Sequence, residues 1–273
     1  MHRRQSRSGD RAGIGRGRRA FAVAALALIV ASCATDGADK DKYVRDGNRY
    51  GVTEDRFRGR WWNYYERGRS FQDGRFLEEA ERDLRTALKS RSRDQLWART
   101  YGLHLVREYF PNRELGITLY YQSRPEEAIV YLEASLEQRF SARAAYFLDE
   151  ARASWVAATN ADRSAPTLEI IAPASFESLY DMETELVAVA RDDTFVRAVS
   201  IGGQAYPIRV SRSEIQIAQT IRLRAGANRI PITVTDIAGR EYTVELELTT
   251  DLDGPAVSFD EPVVLPGVVR GVA

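Results

Sequence analysis

Cysteine and histidine are nearly missing from this chain of 273 residues, with one of the first and two of the second. A lone cysteine excludes an internal disulfide framework. Two histidines, His2 and His104, leave too few nitrogen and sulfur ligands for a zinc site. There is no motif for covalent catalysis and no phosphate-binding glycine loop; Gly202-Gly203 reads as a turn. The paired acids Glu78-Glu79 and Glu126-Glu127 stand at helix starts, where they suit the helix dipole rather than acid/base work. A membrane-spanning run is lacking as well. The apolar stretch Ala20 to Val30 reaches roughly 16 Å as a helix, about half a bilayer core. The expectation is therefore a non-enzymatic protein, with no catalytic residue, no metal ligand and no cofactor.

What is present begins at the N-terminus. Seven arginines (Arg3, Arg4, Arg7, Arg11, Arg16, Arg18 and Arg19) and one acid, Asp10, occupy the first nineteen residues, ahead of the apolar stretch and Ala31-Ser32-Cys33. A basic head, a short apolar core and small residues before a cut are the parts of an export signal. Val30-Ala31-Ser32-Cys33 resembles the lipobox of bacterial lipoproteins. That resemblance implies cleavage before Cys33 and acylation of its sulfur and of the new amine. The plainer alternative is an ordinary secretory signal with a stray cysteine. Lipidation, however, removes an exposed thiol from an oxidising compartment, and two acyl chains hold firmly where one does not. Residue 34 is alanine, not aspartate, which in enteric-type lipoproteins points to the outer membrane, facing the periplasm. Arg18-Arg19-Ala20-Phe21 also looks like a twin-arginine export signal, with a plain basic head as the other reading.

The whole chain carries 39 basic and 39 acidic residues. Without residues 1–32 the balance is 32 against 38, so the mature chain has no basic surplus to neutralise phosphates and nucleic acid is excluded as a partner. Residues 33–56, polar and glycine-containing from Ala34 on, read as a flexible tether.

Residues 57–160 have helical periodicity. Leu77, Ala80, Leu84, Ala87 and Leu88 fall on one stripe, and Pro125 marks a helix start. Asp94–Phe110 reads as a further amphipathic helix ended by Pro111, with His104 on its apolar side. Ala142–Ala157 reads as a last helix with Phe147, Leu148 and Trp155 inward. Leu115-Gly116, Leu119-Tyr120, Ala128, Leu132 and Ser135 occupy, in order, positions that resemble a tetratricopeptide repeat, a two-helix unit of about 34 residues. A looser copy runs through Tyr64, Gly68, Phe71, Gly74, Ala80, Leu84 and Ala87. An unrelated small α-bundle is the alternative. The resemblance implies a surface for partner proteins or peptides, and Trp61, Trp62, Tyr64, Tyr65 and Arg67 have the residue types favoured at binding hot spots. Core packing with solvated arginines is the other reading of that cluster.

From residue 165 to 251 the period changes to two. Strands are expected at Thr167–Ile171, Glu185–Arg191, Val196–Ile201, Ala205–Val210, Ile215–Leu223, Arg229–Thr235 and Glu241–Thr249, an antiparallel β-sandwich of immunoglobulin-like type. Leu223, Gly226, Asn228, Ile230, Ile232, Val234, Asp236, Ala238 and Gly239 resemble the ending of bacterial immunoglobulin-like modules. That resemblance implies a spacer or adhesive unit. Asp192-Asp193 and Asp251-Asp253 offer oxygen to a hard cation, but turn capping is the favoured reading. Residues 252–273 echo the opening of the sandwich, as if a second copy began and the chain belonged to a longer protein.

The fold class expected is thus multidomain, α then β: a tetratricopeptide-like helical domain followed by an immunoglobulin-like sandwich. The function expected is that of an envelope lipoprotein, bound to a membrane by lipid on Cys33 and to an unidentified envelope protein or peptide by its helices. Two rivals are the front part of a larger envelope hydrolase and a cell-wall or carbohydrate-binding lipoprotein.

Overall fold

The computed structural model describes residues 42–252. Val30, Ala31, Ser32 and Cys33, and the echo of the sandwich opening after Leu252, lie outside them. Among the described residues no helix is long and apolar enough to cross a membrane. Among the described residues five helices precede a large β region, and the chain divides between Gln122 and Ser123 into two compact units. The helical segment expected as one domain over 57–160 is therefore shared between the two.

The first unit begins earlier than the expected tether allows. Strands β1 (Val44–Arg45) and β2 (Asn48–Arg49) form a small hairpin. Tyr43 packs its ring edge-on against Phe71 and Phe76 and donates its hydroxyl to Glu79. The Ser70 hydroxyl accepts from the amides of Gly51 and Val52. Tyrosine and serine contacts thus fix a stretch whose composition reads as linker. Helix α1 (Trp61–Asp73) then packs on α2 (Leu77–Ser90). The stripe expected for α2 is real: Ala80, Leu84 and Ala87 are fully buried. Gly68 is where α1 comes closest to it, since a Cβ there would sit 2.9 Å from Cγ of Leu84 and 3.3 Å from its amide nitrogen.

Asp94–Phe110 is not a helix. It forms an antiparallel hairpin, β3 (Gln95–Arg99) with β4 (Leu105–Tyr109), in which Ala98 pairs with Val106 and Trp97 with Arg107. The apolar residues satisfy both periods, but Gly102, at φ +54°, sits midway and turns the chain. Tryptophan, threonine, valine and tyrosine around it favour strand. Pro111 therefore ends no helix; it opens α3 (Pro111–Tyr121), as proline at the first helical position can.

The second unit holds α4 (Pro125–Gln138), which starts at Pro125 as expected, and α5 (Ala142–Thr159), capped by the Ser141 hydroxyl on the Ala144 amide. On α5 Leu148 is buried with Ala144 and Ala151, while Phe147 and Trp155 are half-buried. The β region contains β5 (Thr167–Ala172), β6 (Glu177–Leu179), β7 (Glu183–Ile201), β8 (Gln204–Ala205), β9 (Arg212–Arg222), β10 (Gly226–Asp236) and β11 (Glu241–Thr250). The two strands expected over 185–201 are one, β7. Its first half pairs with β5 and β9 and its second with β8 and β10, while β9 reaches across the irregularity between Arg191 and Val196 to a last pair, Val196 with Arg212. From β10 the ladder continues to β11 and, in parallel, to β6. The strand expected over Ala205–Val210 stops at Ala205, ahead of Pro207, which has no amide to give a ladder. Leu186, Ala188, Val199, Ile217, Ile232, Val234, Leu246 and Leu248 form one apolar core. Asn228 closes the turn into β10: its side chain accepts from the Arg224 amide and donates to the carbonyls of Arg224 and Gly226.

The α1–α2 approach gives a direct test. Gly68→Ala should cost about 1–3 kcal/mol, the usual penalty for overpacking, read as a lowered urea midpoint. Leu84→Ala in the same chain should make the added methyl far less costly, so the two changes together should be less damaging than their sum.

Candidate functional site

The five aromatic and arginine residues singled out on α1 do not share one surface. Tyr65 is buried; its hydroxyl donates to the Glu108 carbonyl at 2.5 Å and accepts from the Phe110 amide at 3.1 Å. Its ring stands edge-on to Tyr109, whose own hydroxyl donates to the carbonyls of Ala87 and Arg91. Burial pushes both phenols above their ordinary range, so they are permanent hydrogen-bonding groups. Arg67 grips the buried Asp83 with two nitrogens, at 2.5 and 3.0 Å, and lies over the Phe57 ring. Trp61 packs edge-on against Tyr109 beneath the Arg91 guanidinium. Tyr64 meets Phe57. Only Trp62 leads outward, to Tyr101 on the β3–β4 hairpin. Of the five only Tyr65 is fully buried; Trp61, Trp62, Tyr64 and Arg67 are half-buried.

Several exposed apolar side chains gather on that hairpin. Leu103 at its tip is 95% exposed, Tyr101 61% and Trp97 52%, with Leu96 and Leu105 also open. Arg107 lies over the Trp97 ring, and His104 stacks on Tyr101 at an interplanar angle of 11°. His104 is thus a turn residue in solvent, not an apolar helix residue. The Thr100 hydroxyl sits 2.7 Å from its Nδ1 and fixes the ring. Behind the tip, Ala98, Val106 and Tyr109 are buried and anchor the hairpin to its unit. A groove of about 690 Å³ runs beside it, lined by Glu54, Asp55, Glu66, Arg69 and His104. Burial, with Glu54 and Asp55 nearby, raises the pKa of Glu66. Sequence reasoning missed this surface because the segment was read as a helix; Gly102 was the available signal.

In the second unit a groove of about 850 Å³ lies between α4, α5 and the stretch from Tyr206 to Gln216. Its central cation, Arg152, is already engaged by the Ser211 carbonyl and hydroxyl and by Glu133. That arrangement fastens the helices to the sheet.

Three aspartates also meet in this unit. Asp162 follows α5, Asp192 opens the irregularity in β7 and Asp236 ends β10; one carboxylate oxygen of each lies within 4.8 Å of the others. Asp192 accepts from the amide and hydroxyl of Thr194, and Asp236 from the Arg240 amide. Arg240 donates to Asp162 and to the carbonyls of Asp162 and Ser164. Desolvation by burial, with Asp236 and Asp192 adding to it, raises the Asp162 pKa, and Arg240 acts the other way. The turn-capping role expected of Asp192 is present, but no reading of the sequence joined it to positions thirty and forty-four residues away.

Tyr65→Phe is expected to leave the fold intact and lower stability by about 1–3 kcal/mol, because the carbonyl of Glu108 and the amide of Phe110 lose a buried partner. Guanidinium unfolding followed by tryptophan fluorescence would read this; an unchanged midpoint would mean that water replaces the hydroxyl.

No protein-family model matches the chain, and no curated protein does. Among solved structures it is similar to fibronectin(III)-like modules of Clostridium thermocellum CbhA, with 15% identity and a TM-score of 0.27, over 33% of this chain and all of that one. It is also similar to an engineered protein, with 15% identity and a TM-score of 0.22, over 65% of this chain and 45% of that one.

Proposed function

We propose that this chain is a non-enzymatic interaction protein of a bacterial envelope, tethered by lipid on Cys33, which meets an envelope protein or peptide through the β3–β4 hairpin of its first unit. The observation that carries this reading is the exposure of Trp97 and Leu105 on one face of the hairpin, with Tyr101 and Leu103 at its turn, while Ala98 and Val106 on the other face are buried. Contiguous exposed apolar side chains mark interaction sites. Tryptophan, tyrosine and arginine are the types that dominate binding energy, and Trp97, Tyr101 and Arg107 supply them here. A two-stranded sheet also leaves open backbone edges to which an extended peptide can add a strand. The tetratricopeptide-like reading is supported by the close α1–α2 pair at Gly68. The immunoglobulin-like reading is supported by the antiparallel ladders and by the motif from Leu223 to Gly239, and gives the β region the role of a spacer. Outer-membrane attachment facing the periplasm rests on Ala34.

Crosslinking in the native envelope, followed by identification of the crosslinked protein, tests the reading. Trp97→Ala and Leu103→Asp should each cut the crosslink yield by at least about tenfold, as expected of hot-spot residues, with unchanged circular dichroism. A profile identical to wild type would exclude the hairpin as the contact. Labelling with a clickable fatty acid tests the anchor separately: Cys33→Ala should abolish uptake, and equal labelling would rule out lipidation at that residue.

A further inference from the structure

We infer that the second unit binds one calcium ion between Asp162, Asp192 and Asp236. The grouping of three acids is half of the argument; the state of their oxygens is the other half. Asp162 Oδ2, Asp192 Oδ1 and Asp236 Oδ2 are each buried and without a hydrogen-bond partner. The side chains of Asp162 and Asp236 are 2% and 0% exposed. Each aspartate therefore spends one oxygen on the fold and keeps the other dry and unpaired in a shared space. An unpaired buried acceptor is costly, and a buried charge more so.

Charge decides what fills the space. Three carboxylates face one guanidinium, Arg240, which leaves an excess of two negative charges. Arg240 is already committed to Asp162 and Ser164, and comes no nearer than 3.8 Å to the free oxygen of Asp236. Water can satisfy the lone pairs but leaves the charge excess in place. A divalent cation does both. Oxygens no more than 4.8 Å apart are close to the separations of ligands that share one calcium at about 2.3–2.6 Å, and calcium accepts irregular sets of six to eight oxygens completed by water. Magnesium demands a near-ideal octahedron and sheds water reluctantly.

The three ligands come from separate places: the connector after α5, the irregular part of β7 and the last residue of β10. A cation there would tie the connector to the two strands. Hydrogen bonds already run along the same line, from the Arg163 amide to the Asp193 carboxylate and from the Ile237 amide to the Phe195 carbonyl. The site stands independently of the proposed partner-binding role.

The test uses the full chain, stripped with EGTA and titrated with calcium chloride in a calorimeter, alongside thermal unfolding. Wild type should bind one equivalent, and its melting temperature should rise by roughly 10 °C in calcium at a hundredfold its dissociation constant. Asp192→Asn should weaken binding by at least about tenfold, as loss of a metal-supporting group does. In EGTA it should melt no lower than wild type, because one repelling charge is gone while the oxygen that serves Thr194 remains. Asp162→Asn provides a second variant, and circular dichroism in EGTA establishes that both are folded. Wild type without calcium heat or a melting shift, an equal shift from magnesium at the same concentration, or variants that bind as tightly as wild type would each overturn the site.

Discussion

The irregularity at residues 192–195 of β7 is the constraint on which the second unit depends. A regular nineteen-residue strand would carry one ladder on each edge and continue flat. Instead the β7–β9 register breaks after Arg191, and Val196 resumes opposite Arg212 of β9 on one edge and Asp236 of β10 on the other. Extra residues inside a ladder bend the strand and increase its twist, which lets one strand serve two sets of neighbours around a single core. The cost is a short stretch whose backbone groups need other partners. Thr194 and Asp192 supply some, and the Phe195 carbonyl accepts from Ile237 beyond the end of β10. Asp192 is thereby held where Asp162 and Asp236 also arrive. The acidic cluster is a product of the bend rather than of any local motif.

The first unit is organised by a different device. Two tyrosine hydroxyls, those of Tyr65 and Tyr109, hold the backbone where β4 runs into α3 and where α2 ends. Gln72 adds a third side-chain contact, donating to the Glu114 carbonyl and the Thr118 hydroxyl of α3. Buried polar groups of this kind stabilise modestly when paired and cost much when left alone, so they select one arrangement of short elements that apolar contact alone would leave loose. Tyr65, one of the aromatic residues that resemble a binding cluster in sequence, is thus committed to internal order, while the adjacent hairpin carries exposed apolar side chains.

Legibility followed the range of the interactions involved. The α2 stripe, the helix starts at Pro125 and Ala142, and the strands expected at 167–171, 215–223, 229–235 and 241–249, which fall within one to three residues of the observed ends, were readable because each is fixed by its own periodicity and turn residues. Gly226 and Gly239, both at positive φ, marked their turns as only residues of that type readily can. The segment from Asp94 to Phe110 failed because its apolar positions satisfy a helical period as well as alternation, and the turn at Gly102 with the burial of the Ala98–Val106 pair goes with the strand. Tyr43 and Ser70 could not be seen to order the supposed tether, since neither residue signals a contact in its own neighbourhood. Asp162, Asp192 and Asp236 stand in three unrelated local contexts, and nothing but the fold brings them together.

That last case bears on why an acidic cluster survives in a small β region at all. Replacing Asp192 or Asp236 by asparagine would retain an acceptor for its existing turn contact and remove a negative charge. Selection for stability of the empty fold alone would favour that change. Arg240 answers only one of the three charges, and a second arginine would need room that the close approach of the carboxylates denies it. A compact divalent ion, by contrast, needs only the oxygens. The same arrangement that is a liability when empty becomes a fastening when filled, and it places that fastening at the junction between the last helix and the sheet.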